Sequence, residues 1–299
     1  MALRLPIRVF SSEGTLVLRD GLVFVLFIPA SHCEISTQIE RVLGRYLALC
    51  GQNAPTLICD RGENYRRFSP EEDAALRWRM SRERRGHFMV TLRDGTEPAV
   101  PNYRFQYLGE AASRDADCVS HLELWFPTEL LDAIGPDVLV GELLAMAAEV
   151  PFSSGYCSIA LNYDDWVEVP LASVIRGTAL RMPGIDVRNS LSVACSIGNR
   201  VRGAYWLTLL GPQALAMLKT DAASLQSLLG EHIRIYPVEH GVAIRAGVAP
   251  EVGDVNRLQL LPSVRRVAAV IEPVTFLQTH GVTLEEVEDD LRWQRRHYS

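Results

Sequence analysis

The clearest periodicity in the chain is apolar. Across residues 34–50, Ile35, Ile39, Val42, Leu43, Tyr46 and Leu47 recur at three- and four-residue spacing and Gly51 follows, which predicts an amphipathic helix laid on a sheet. Ahead of it, the apolar runs 7–18 and 22–28 flank Asp20-Gly21, a dipeptide that supplies the positive dihedrals of a tight turn, so an opening antiparallel hairpin is expected. Ser69-Pro70-Glu71-Glu72 places a cap, a first-turn proline and acids at the start of a helix running to about Arg84. Strands are expected at 56–59, 87–92, 103–108 and 119–126. The order is antiparallel sheet with helices and not a regular strand-helix alternation.

Beyond Phe126-Pro127 a helical stretch is interrupted at Gly135-Pro136, resumes over 137–149, and leads into a strand at 156–163. The same succession returns later, with a strand at 206–210, helices at 211–218 and 223–229, and strands at 233–237 and 242–247. The fold class is therefore α+β, a largely antiparallel sheet covered by helices. The echo suggests a single domain over 1–299 built as two similar lobes, about 1–180 and 181–299, with the Leu180 to Asp186 turn as their junction. Gly247, Pro250 and Gly253 end the 242–247 strand, and Asp254 is placed to accept backbone amides as a cap or Asx-turn. The tail, 283–296, opens on Thr283 and acids and ends in Arg292, Arg295 and Arg296, the charge order of a terminal surface helix.

The composition, 48% hydrophobic and 22% charged over 299 residues, is that of a globular chain with a large core. A formal charge of -6 argues against a nucleic-acid coat and favours a basic protein partner. Its six cysteines are scattered, without the close pairs of zinc or redox sites, and read as buried thiols of a reducing cytoplasm. Residues 1–10 carry Arg4 and Arg8 through their apolar positions and lack a signal-peptide core, and the apolar run 22–29 is too short for a membrane span, which takes roughly 20 residues.

Candidate chemistry is sparse. Asp164-Asp165-Trp166 with Glu168 is the most suggestive cluster, since adjacent carboxylates beside an aromatic suit arginines on a basic partner; a solvated loop after a strand is the plainer alternative. Metal binding there lacks further ligands in sequence, and no metal or cofactor is expected. Glu285, Glu286, Glu288, Asp289 and Asp290 form a denser acidic run on the tail helix, part of it accounted for by the helix dipole. Arg66, Arg67, Arg77, Arg79, Arg82, Arg84 and Arg85 could meet phosphate, yet acids intersperse them, and nucleic acid is not expected as a partner. His87, His121 and His240 fall near strand ends and read as hydrogen-bonded structural residues. The sequence has no His-Glu-x-x-His, Gly-x-Ser-x-Gly or Gly-rich nucleotide loop.

Five segments in order carry a resemblance: Phe126-Pro127 before a helix, the small-residue strand from Gly155 to Leu161, Arg181-Met182-Pro183-Gly184, Trp206-Leu207-Thr208, and the run from Gly241 through Gly247, Pro250 and Gly253 to Asp254. Together they resemble the type VI secretion immunity proteins over roughly the last 180 residues. Met217 to Asp221 departs where that family often has Leu-Gly-Gly, and Val264 stands where a tyrosine is common. The resemblance implies a non-enzymatic cytoplasmic protein that binds a cognate effector toxin, a nuclease or another intracellular toxin, and inhibits it sterically. It also leaves room for an adaptor or loading chaperone, or an effector-modifying enzyme. The motif residues are those a scaffold needs, so they mark the fold rather than the contact surface.

Overall fold

The computed structural model describes residues 7–60, 64–83, 86–95, 99–113, 115–163, 165–187, 190–278 and 284–298, with backbone alone for 165–170 and 284–286. Its centre is β2 (Leu16–Ile28), thirteen residues that β1 (Arg8–Phe10) joins at one end. Asp20-Gly21 is not the turn. It sits inside β2, because a Cβ on Gly21 would lie 3.1 Å from the Trp125 ring, so the glycine is needed for close approach rather than for reversal. The reversal falls at residues 11–15, where Gly14 takes φ +79° and the Ser11 amide donates to Thr15 O.

The helix expected at 34–50 is α1 (His32–Cys50), with Ser31 and Glu34 closing a capping box and Gly51 ending it. Then come β3 (Leu57–Asp60), β4 (Arg66–Arg67), α2 (Pro70–Arg82), whose first turn is capped by Ser69, and β5 (Phe88–Arg93), β6 (Arg104–Gly109) and β7 (Ser120–Phe126). Gly135 separates α3 (Leu130–Ile134) from α4 (Pro136–Ala147), and β8 (Ser154–Tyr163) follows. The remainder is α5 (Asp165–Arg181), β9 (Ile185–Asp186), α6 (Ser190–Ala194), β10 (Leu207–Leu210), α7 (Pro212–Leu218), α8 (Ala222–Leu229), β11 (Arg234–Val238), β12 (Gly241–Arg245), α9 (Pro262–Ile271) and α10 (Leu284–Gln294).

Among the described residues the strands make one twelve-stranded sheet in the order β11-β12-β10-β8-β2-β7-β6-β5-β3-β4, with β1 added to β2 and β9 to β8. Every pairing is antiparallel except the short β8–β9 one. Because β10 pairs directly with β8, the sheet continues without a break past residue 181. Burial on both faces explains the unbroken apolar run of β2: Leu22, Phe24, Leu26 and Ile28 face the core under α1 and α4, while Val23, Val25 and Phe27 pack with Trp125 and Tyr156 on the other side. A third cluster joins Val242 and Ile244 to α7, α8 and α9.

The tail helix departs from its expected surface placement. Its C-terminal end is built in, with Trp293 and His297 each only 6% exposed, while Thr283 lies outside the described residues. The cysteines differ in part as well: Cys50 and Cys157 are buried, Cys33, Cys59 and Cys118 half-buried, and Cys195 is exposed. No helix of the described residues is long and apolar enough to cross a membrane.

Candidate functional site

The sequence motifs scattered over 181–262 converge at one end of β10 and β12. The Arg181 to Gly184 turn leaves α5 and presses its glycine onto the following loop: the Gly184 amide donates to Val252 O at 2.8 Å, and a Cβ there would lie 2.0 Å from Glu251 O. Pro183 packs from the same turn against Gly253, which itself takes φ +66°. From the strand side, Trp206 donates its indole N–H to Gly247 O at 3.2 Å, and the Ala246 amide extends the ladder to Trp206 O at 2.8 Å. Arg245, almost fully buried, stacks over Trp206, donates to Gly247 O at 3.1 Å and to Val248 O, and reaches Asp137 on α4 at 2.5 Å. That hydrogen bond and the guanidinium charge hold the Asp137 carboxyl below its usual range.

Asp254 does what its position predicts. Its carboxylate accepts the Asn256 amide at 3.0 Å and bonds Arg181 at 2.7 Å, with Arg257 at 3.7 Å, and these donors, Arg181 first, lower its pKa. Its backbone exchanges hydrogen bonds with Gln259 at 3.2 and 3.0 Å, closing the tip of the loop into a small hairpin. Within that tip Leu258 takes φ 56°, ψ 26° with 84% exposure. Left-handed backbone costs a non-glycine residue on the order of 1–2 kcal/mol, and an exposed leucine gains no burial to offset it. Val248, Val255 and Leu260 on the same loop are exposed too, at 73%, 39% and 52%.

Behind the loop lies a cavity of about 180 Å³ walled by Gly184, Trp206, Gly247, Glu251, Leu261 and His297. Ligand pockets usually measure roughly 300–1,000 Å³, so this space suits one side chain better than a small molecule. His297 reaches it from the chain's far end. Burial, helped by Arg296 and Arg265, pushes its imidazole pKa down to about 2, which leaves it neutral.

The predicted cluster Asp164, Asp165, Trp166 and Glu168 is only partly visible: Asp164 lies outside the described residues, and the other three are described as the helical backbone that opens α5. The acidic run of the tail packs further along the same helix. Arg176 bonds Asp289 and Arg296 bonds Pro183 O with the same 113-residue offset, so α5 and α10 run parallel, and Asp289 lies beside the second half of α5 rather than its acidic start. Phe126-Pro127 is elsewhere: Phe126 is in the core beneath α1, its ring tilted against Tyr46 at 5.3 Å between centroids, and Pro127 is half-buried beside it. Sequence reasoning expected Gly184, Trp206, Gly247, Pro250, Gly253 and Asp254 as scaffold, residues that the structure gathers around this loop. It missed Arg245, Glu251, Leu258 and His297, for which only the isolated apolar residues between turn residues at 255–260 gave any signal.

One constellation elsewhere has the residue types of a hydrolase. His121 Nε2 lies 2.9 Å from Ser190 Oγ, and Glu123 accepts from the same hydroxyl. The carboxylate, however, sits on the serine side, 4.0 Å from that same ring nitrogen, whereas a triad acid orients the imidazole from its other nitrogen. Glu123 also takes the Trp125 indole N–H at 2.6 Å, and all three side chains are buried, so the group ties α6 to β7. Much of the basic group is likewise tied up: Arg66 and Arg79 meet Asp60, and Arg77 meets Asp73 and Glu40.

A model of the family described as TsiV, type VI immunity for VRR-NUC, matches residues 38–297. Among solved structures, the Pseudomonas aeruginosa T6SS protein PA0821 superposes with a TM-score of 0.81 over 97% of this chain and 87% of that one, at 17% identity, a likeness of fold. No curated protein matches the chain.

Proposed function

We propose a mode of action on the premise that this chain belongs to the TsiV family of type VI immunity proteins for VRR-NUC. Its partner is an effector toxin of the VRR-NUC nuclease class, and it neutralises that nuclease by covering it. The match over residues 38–297 carries this reading. The family implies a non-enzymatic role, and steric inhibition needs only a rigid complementary surface, on the order of 1,600 Å² in a stable complex.

Two features of the chain support covering over chemistry. The scaffold around the 247–261 loop is cross-braced by Arg181–Asp254, Arg245–Asp137 and the Trp206–Gly247 bond, so little conformational entropy is lost on docking. A nuclease must grip phosphates with basic residues, and a partner of charge -6 meets it with favourable long-range attraction. We place the action in the cytoplasm: the nuclease's substrate is there, and the six scattered cysteines lack the spacing pattern of a disulfide framework.

Growth of bacteria making a VRR-NUC effector nuclease tests the proposal. Co-expression of this chain is expected to restore growth and to yield a complex that co-purifies. Rescue without a complex, or a complex that leaves the nuclease toxic, contradicts it.

A further inference from the structure

We infer that the 248–260 loop, with the cavity behind it, is where the effector nuclease docks, an assignment that rests on the immunity reading above. Of the twelve large hydrophobic side chains exposed among the described residues, Val248, Val255, Leu258 and Leu260 fall within these thirteen positions. Such a concentration on an otherwise well-buried chain marks an interaction surface. Leu258 adds an independent sign, because its left-handed backbone favours glycine or asparagine and its side chain stands almost entirely in solvent. Folding alone gives no reason for a leucine there. The loop does not need ordering on contact: Asp254, Gly184 and Arg245 already fix its base and tip.

The loop's own residues specify the partner's chemistry. Glu251, an exposed acid on the same loop as Val248 and Leu260, is among the residues lining the cavity. A nuclease surface that grips phosphate offers lysines and arginines that suit that acid, and the net charge of -6 acts in the same sense. The occupant is thus a surface of the nuclease that sets a basic residue against Glu251 and an apolar patch over Leu258 and Leu260.

The full-length protein and the VRR-NUC nuclease it protects against, rendered inactive by substitution, are mixed in a calorimeter. The double variant Leu258→Asn, Leu260→Ser is expected to keep or raise the melting temperature, since asparagine tolerates the backbone, while Kd rises at least tenfold. Glu251→Gln is expected to weaken binding severalfold. Trp78→Ser, at a residue 62% exposed on α2, a helix that packs on α1, is expected to bind as wild type. Unchanged affinity in the double variant, or equal loss in Trp78→Ser, overturns the assignment while leaving the immunity reading intact. A wild-type dimer that the double variant dissociates without loss of nuclease affinity also overturns it, giving the loop to a second copy of the chain. Failure of the wild-type protein to bind any such nuclease overturns both.

Discussion

At the scale of single residues, the site is governed by a buried neutral histidine and a braced carboxylate. His297 has a folded pKa of about 2 against an unfolded value of 6.5, so below pH 6.5 the unfolded chain binds a proton that the folded chain refuses. Its linkage therefore costs stability as the pH falls. Between pH 7.5 and 5.5 this one group is expected to remove about 1.4 kcal/mol, and His297→Gln is expected to lack that increment when urea unfolding is followed at both pH values. An equal pH dependence in the variant would contradict the assignment. Asp254 acts locally, through the Asn256 amide and Arg181. Asp254→Ala is expected to speed amide hydrogen exchange over 254–260 and leave β2 and β8 protected, because the carboxylate braces the loop and not the sheet.

At the scale of elements, the turn that joins α5 to β9 fixes the loop by contact. A Cβ on Gly184 would occupy the space of Glu251 O, at 2.0 Å, and since the backbone fixes the position of Cβ and contains Glu251 O, neither can swing aside. Gly184→Ala is expected to cost about 1–3 kcal/mol in unfolding free energy, as overpacking does, and to weaken effector binding by displacing the loop. A neutral effect on both would mean that the turn does not position it. Helices α1 and α2 were legible in the sequence because their signals are local: apolar spacing ended by Gly51 in α1, and Ser69 with Pro70 in α2, whereas the Ser31 cap of α1 went unread. Asp20-Gly21 misled for the opposite reason. Whether a glycine reverses the chain or makes room for a ring depends on Trp125, a partner that sequence spacing does not reveal. The site was legible as scaffold and not as surface, since Trp206, Gly247 and Asp254 announce turns and packing, whereas His297 reaches the cavity only through the docking of α10 on α5.

At the scale of the whole molecule, one broad sheet buried on both faces gives a rigid support on which an acidic surface and a braced apolar loop are displayed. Charge should then set the rate of encounter and the apolar loop the lifetime of the complex. Raising salt from low to about 0.5 M is expected to slow association by roughly tenfold with little change in dissociation, read by surface-based kinetics. A dissociation rate that rises steeply with salt would assign the binding energy to ion pairs instead. The most direct test of covering as the means of protection is a titration of nuclease turnover on DNA with the purified chain. Inhibition is expected to be complete at a fixed molar ratio and independent of preincubation time once binding has equilibrated; progressive inactivation by a small fraction of that ratio, or full nuclease activity at excess, would contradict it.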